Sequence, residues 1–311
     1  MPGERFALGE GLRDVGDHLI MVDILTGRLL ALPADLAGPP RVLLQLADPL
    51  GAVAPLTGGG WIAATGTGIA LIAAGTNTAG TNTAGTNTAG ANTAGTNTAG
   101  AGGAGGAGEV RWLARPEDGA PHRMRMNDGV ADPSGRFWAG SMAYDTAEGA
   151  GALYRVDVDG SVHRVVGELT VPNGPAFTPD GELMYLADSA RGVIYRYPVD
   201  PRTGALGRHT EFASVAGGSP DGMTVDAEGY LWSAIWGAGE IRRFSPTGSV
   251  DRVLAIPAGQ PTSVCLAGGR LVATSATVGL VEPADADGAV QHIPVPVRGV
   301  PAARAGIAAA R

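Results

Sequence analysis

Six short apolar runs recur along the chain, each bounded by glycine or turn residues. They are Leu19-Ile20-Met21-Val22, Trp61-Ile62-Ala63-Ala64, Phe137-Trp138-Ala139-Gly140, Met184-Tyr185-Leu186-Ala187, Leu231-Trp232-Ser233-Ala234 and Leu271-Val272-Ala273-Thr274. Their starts lie 42, 76, 47, 47 and 40 residues apart. The long interval contains a 33-residue stretch, 76–108, of quite different character, and without it the spacing there is 43. Units of this length match the roughly 40–50 residues of a four-stranded propeller blade. Turn strings fall between the runs, among them Pro179-Asp180-Gly181 and Pro246-Thr247-Gly248. A parallel βαβ fold would need helical periods between the strands, and the Gly/Pro density leaves no room for them. The expectation is an all-β chain, one six-bladed β-propeller spanning 1–311.

The stretch 76–108 consists of five pentads, TNTAG three times, then ANTAG, then TNTAG, followed by a Gly/Ala run. With nothing large to bury, its ordering entropy goes unopposed. It reads as a low-complexity flexible insert in a surface loop.

A second regularity is polar. Glu10-Gly11 lies 9 residues before Leu19, Asn127-Asp128-Gly129 begins 10 before Phe137, Asn173-Gly174 lies 11 before Met184, and Asp221-Gly222 lies 10 before Leu231. Taken singly, such dipeptides are hairpin turns. At matched phase in different blades they converge on the propeller axis. Glu10, Asn127, Asn173 and Asp221 are therefore expected to ring one end of the channel. Two carboxylates and two amides supply oxygen donors suited to a hard divalent cation: Ca²⁺, Mg²⁺ or Mn²⁺, with Zn²⁺ or Fe²⁺ also compatible. Arg125, two residues before Asn127, shares a strand face with it and could hold an anionic or hydroxyl-rich ligand. Asp145 follows the third run in a loop that could reach the same mouth. Trp138 and Trp232 read as core between blades, and Asp23 and Asp188 as partners of backbone N–H groups.

Composition narrows the chemistry further. Hydrophobic residues make up 44% of the 311, enough for a sizeable core, and the net charge of −8 disfavours nucleic acid as a partner. No apolar stretch is long enough to span a membrane, and the first ten residues carry no secretory pattern, so the expected location is cytoplasmic. All 22 basic residues are arginines, which excludes a Schiff-base or P-loop lysine. The single cysteine, Cys265, excludes internal disulfides and a thiolate zinc site. The five histidines have no zinc-ligand spacing, and there is no Gly-x-Ser-x-Gly elbow. Carboxylates, amides and arginine remain.

These features resemble a known family. LGEG at 8–11, MVDILTGRL at 21–29, RMNDGVADPSGRFWAGSM at 125–142, VPNGPAFTPDGELMYLADS at 171–189, SPDGMTVDAEGYLWSAIWGAG at 219–239 and PTSVCLAGGRLVATSA at 261–276 are similar to the gluconolactonases, senescence marker protein (regucalcin) and luciferin-regenerating enzymes. The resemblance covers the chain outside the insert. It implies a six-bladed propeller with one divalent metal ion, Ca²⁺ foremost, and a sugar lactone as small-molecule substrate, with no obligate protein partner. It also implies Glu10, Asn173 and Asp221 as metal ligands, with Asp221 the catalytic acid/base, and Arg125, Asn127 and Asp145 as substrate-contacting residues. The chain departs from the pattern after Glu10-Gly11, where Leu12 and Arg13 stand in place of a proline and an aromatic residue. Two further readings stay open at this stage, a metal-dependent esterase or organophosphate hydrolase and a non-enzymatic metal-binding propeller. Turnover of aryl esters above lactones, or metal affinity without hydrolysis, would mark them out.

Overall fold

The computed structural model describes residues 4–73 and 109–307; the predicted insert at 76–108 lies outside the described residues. Six antiparallel sheets follow one another in sequence order. Blade 1 holds β1 (Gly9–Asp14), β2 (His18–Asp23), β3 (Arg28–Pro33) and β4 (Arg41–Gln45). Blade 2 holds β5 (Leu50–Pro55), β6 (Trp61–Thr65), β7 (Gly68–Ile72) and β8 (Val110–Ala114). Blade 3 holds β9 (Met124–Ala131), β10 (Phe137–Ala143), β11 (Gly151–Val156) and β12 (Val162–Leu169). Blade 4 holds β13 (Pro172–Phe177), β14 (Leu183–Asp188), β15 (Val193–Pro198) and β16 (Thr210–Ser214). Blade 5 holds β17 (Ser219–Val225), β18 (Leu231–Trp236), β19 (Glu240–Phe244) and β20 (Val250–Ala255). Blade 6 holds β21 (Pro261–Ala267), β22 (Arg270–Ser275) and β23 (Gln291–Pro294).

The first strands of the blades contact one another in a closed ring, β1–β5–β9–β13–β17–β21 and back to β1. The chain is a six-bladed β-propeller whose innermost strands line the axis. Each predicted apolar run is the second strand of its blade. That strand is covered on both faces by neighbouring blades, so it reads as a continuous apolar run rather than an alternating one. Trp138 and Trp232 sit fully buried in these strands. Each indole Nε1 donates to an aspartate six residues upstream, Asp132 and Asp226 respectively, at 2.9 Å. These bonds fasten the hairpin between first and second strands. Asp23 accepts from Leu8 N at 2.9 Å, and Asp188 from Thr170 N and Val171 N at 3.0 Å, tying the entry of an inner strand to its own blade.

Both termini help to close the ring. The N-terminal segment lies against blade 6, with Phe6 N bonded to Gly288 O at 2.7 Å and Leu8 bridged to Ala276. The segment after β23 crosses the opposite end of the channel. Ala227 N donates to Arg298 O, Ala302 N to Asp14 O, Thr57 N to Ala305 O and Gly306 N to Gly135 O, which links blades 5, 1, 2 and 3. Among the described residues no helix is long and apolar enough to cross a membrane.

Candidate metal centre at the channel mouth

Glu10 sits in β1, Asn127 in β9, Asn173 in β13 and Asp221 in β17. All four lie on inner strands and all are buried. Beside each, the pairing of first and second strands slips by a β-bulge. A bulge bends the strand and re-aims a side chain, so it turns these residues at the strand's start toward the axis. The glycines that follow permit this. Gly174 has φ +47°, and a Cβ there would lie 2.7 Å from Met223 N of the next blade. A Cβ on Gly222 would lie 2.7 Å from Thr262 O. Blades 2 and 6 carry the same bulge without a matching donor. In blade 2 the place is taken by buried Leu50, and in blade 6 the Thr262 hydroxyl is bonded to Gly9 O.

The Glu10 and Asp221 carboxyls are in hydrogen-bonding contact. Burial raises the pKa of both above the ordinary carboxylate range, and the negative charge of Asp128 pushes in the same direction. Each of these carboxyls therefore holds its proton more tightly than a free one. Beside this pair runs a chain of polar bonds. Arg125 Nη1 donates to Asn127 Oδ1 at 2.6 Å, and Asn127 Nδ2 donates to Asn173 Oδ1 at 2.7 Å. Asn173 Nδ2 donates to Ser189 Oγ at 2.9 Å, and Ser189 Oγ donates to Pro220 O at 2.6 Å. Ser189 thereby occupies the Asn173 N–H and leaves its oxygen as the acceptor. Burial lowers the Arg125 guanidinium below its ordinary value, while the charges of Glu10 and Asp221 pull it back up.

Two residues at this end do not stand out in the sequence. Asp128 reads as the middle of an Asn-Asp-Gly turn, yet it is 0% exposed. Its carboxylate accepts from Gly129 N at 2.7 Å, Gly174 N at 3.0 Å and Arg13 Nη2 at 3.3 Å. Arg13, one of the departures from the family pattern, is itself buried and also donates to Leu12 O and Gly129 O. Asp145 stands apart from the buried group. Its side chain is 63% exposed on the rim, bonded to His122 Nδ1 at 3.2 Å and to Ala147 N.

The donor set fits a divalent cation. Among the described residues no three or more His, Cys, Asp or Glu cluster as a metal site. A cation here would be held by the carboxylates of Glu10 and Asp221 together with the Asn173 amide oxygen. Two acidic groups buried in contact are costly as paired anions, and a cation is the partner that relieves that cost.

Residues 8–277 match the model of the SMP-30/gluconolactonase/LRE-like region. The chain belongs to this family. Among curated relatives, a 6-deoxy-6-sulfogluconolactonase from Pseudomonas putida is 41% identical over 160 residues, which is 50% of this chain and 54% of that protein. A pentonolactonase from Haloferax volcanii is 39% identical over 146 residues, 46% of this chain and 50% of that one. The chain thus spans about half the length of the curated relatives it matches. Among solved structures, a calcium-binding regucalcin from Agrobacterium tumefaciens is 27% identical, superposes with a TM-score of 0.79, and pairs 97% of this chain with 95% of its own.

Proposed function

We propose that this member of the SMP-30/gluconolactonase family opens a sugar lactone to its aldonic acid, with a divalent metal ion at the channel mouth. One observation carries the reading. A buried pair of carboxyls, Glu10 and Asp221, shares a mouth with a buried guanidinium and an amide on one strand, Arg125 and Asn127. The lactonase names of the relatives and the calcium-binding neighbour point the same way.

Glu10, Asn173 and Asp221 would hold the cation. When bound, it would supply Lewis acidity to the lactone carbonyl and to water. The chain's own groups do the rest. Hydrolysis requires water to add to the ester carbonyl, the ring C–O bond to break, and a proton to pass from the water to the departing ring oxygen. Asp221, a buried carboxyl at the mouth, takes the proton from water and returns it to the ring oxygen. Arg125 and the Asn127 amide orient the sugar and stabilise negative charge growing on the carbonyl oxygen. Asp145, on the rim, contacts a sugar hydroxyl. No covalent intermediate is needed, in keeping with a chain that lacks lysine and whose one cysteine is buried.

The test is hydrolysis of glucono-, galactono-, xylono- and arabinonolactone by purified protein, followed by proton release, with and without a chelator. The expected result is a rate above the spontaneous one on at least one lactone, lost on chelation and restored by added divalent metal. Absence of any such rate across the panel overturns the proposal.

A further inference from the structure

The entry to β9 carries a ladder of cations that the hydrolytic chemistry does not use in full. Arg123, Arg125 and Asn127 alternate along the chain, so their side chains leave one face at intervals of about 6.7 Å. Tyr144 stands opposite, its backbone N–H bonded to Arg123 O at 2.9 Å. The guanidinium carbon of Arg123 lies 4.4 Å from the centre of the Tyr144 ring, and that of Arg125 lies 5.9 Å from it. One ring is therefore flanked by two guanidinia, one buried at the mouth and one exposed at the rim. Among the described residues neither arginine forms an ion pair with a carboxylate, whereas the neighbouring rim carboxylate Asp145 is engaged by His122.

In a chain of net charge −8, an exposed arginine that forms no ion pair among the described residues, Arg123, places a local positive charge on the rim. Stacking on Tyr144 fixes the plane of Arg123 and pre-orients its N–H fork, which lowers the entropic cost of gripping a flat or tetrahedral anion. The spacing along the strand matches the span of a six-carbon lactone from its carbonyl to its terminal substituent. With the carbonyl end at Arg125 and Asn127, the other end lies beside Arg123.

We infer that Arg123, held by Tyr144, is a specificity-determining residue, and that the preferred substrates are sugar lactones bearing an anionic group at the carbon remote from the ester. This rests on the lactonase reading above. Sulfonate, phosphate and carboxylate share the chemistry that this fork recognises.

The experiment compares glucono-1,5-lactone with its 6-phospho, 6-sulfo and 6-carboxy counterparts, using wild type, Arg123→Met and Arg123→Lys. Calorimetric titration of 6-phosphogluconate against gluconate accompanies it. The wild type should favour at least one anionic lactone, and which one identifies the group. In Arg123→Met the ratio of kcat/KM for that lactone over the neutral one should fall about tenfold, through KM, with Arg123→Lys recovering part of it. The titration should show the same loss of preference. A wild type that opens the neutral lactone equally well, or a ratio that Arg123→Met leaves alone, overturns this inference and leaves the lactonase reading standing. Anion binding that depends on Arg123 without hydrolysis of any lactone upholds the subsite and overturns the lactonase reading.

Discussion

The two ends of one inner strand, β1, belong to different worlds. At its start Glu10 is buried against Asp221 among amides and a guanidinium. At its finish the Asp14 carboxylate accepts from Gly16 N, and its backbone oxygen accepts from Ala302 N of the segment that crosses the channel. That far end holds a cavity of about 170 Å³ lined mainly by apolar side chains such as Phe177, Met223, Cys265 and Val300, with Arg13 and Asp14 at its wall. Between the two ends the Arg13–Asp128 pair bridges the channel from blade 1 to blade 3. The propeller repeats one strand six times, yet one end stores electrostatic stress and the other relieves exposure. Stress is tolerable at the mouth because the covered far end and the interlocked blades hold the ring together.

The sharpest way to break this contrast is at the mouth. In Asp221→Asn the proton carrier is lost while the shape is kept. We expect kcat on the lactone that wild type turns over to fall about a thousandfold, the range of a positioned acid/base. The metal-free variant should melt no lower than wild type, since a buried acidic group has been neutralised. A variant that keeps its rate would move the proton transfer elsewhere, and one that unfolds would show Asp221 to be structural.

Removing residues 296–311 attacks the other end. Val297 and Ile307, both buried, go with it, and burial of two such side chains is worth roughly 3–6 kcal/mol. Cys265 reports on it. Burial pushes its thiol pKa up to about 12, so native protein should resist Ellman's reagent. The truncated chain should melt earlier and label readily at Cys265. Equal labelling in both would mean that the crossing segment does not seal the channel.

How much of this contrast could be read in advance depended on burial. The second strands were legible because both faces are covered, which leaves unbroken apolar runs such as Met184-Tyr185-Leu186-Ala187. The outer strands β4, β12 and β20 are largely solvent-facing and mix apolar with polar residues, so they carry no such signal. Glu10, Asn127, Asn173 and Asp221 stood out as polar residues held at one phase. The bulges that aim them left no trace except the glycines. Asp128 was hidden by its neighbours, since Asn-Asp-Gly is a common turn. The closing segment was hidden because its hydrogen bonds to blades 1, 2, 3 and 5 run through backbone groups, and its few buried side chains, such as Val297 and Ile307, follow no strand period.

Arg13→Met tests the divider between the two ends. It leaves Asp128 a buried carboxylate without its cation, a change that costs about 3 kcal/mol when one partner of a buried pair is removed. Chemical denaturation should show this as a lower midpoint at unchanged slope. Replacing both partners, Arg13→Met with Asp128→Asn, should recover part of the loss. If the single variant is as stable as wild type, the pair is not what separates mouth from cavity.

The smallest expected effect marks where the mouth ends. Asp145 lies only three residues beyond Met142, which pairs with Arg125, yet its side chain is mostly solvated and held by His122. A residue so exposed has no packing to lose, so Asp145→Ala should leave the melting temperature where it was. If its carboxylate meets a sugar hydroxyl in the bound state, KM should rise about threefold while kcat holds, the pattern of lost uniform binding. A fall in kcat as well would place Asp145 among the groups that act on the transition state and extend the mouth to the rim. No change in either constant would end the mouth at Arg125, and recognition would then rest on buried groups alone.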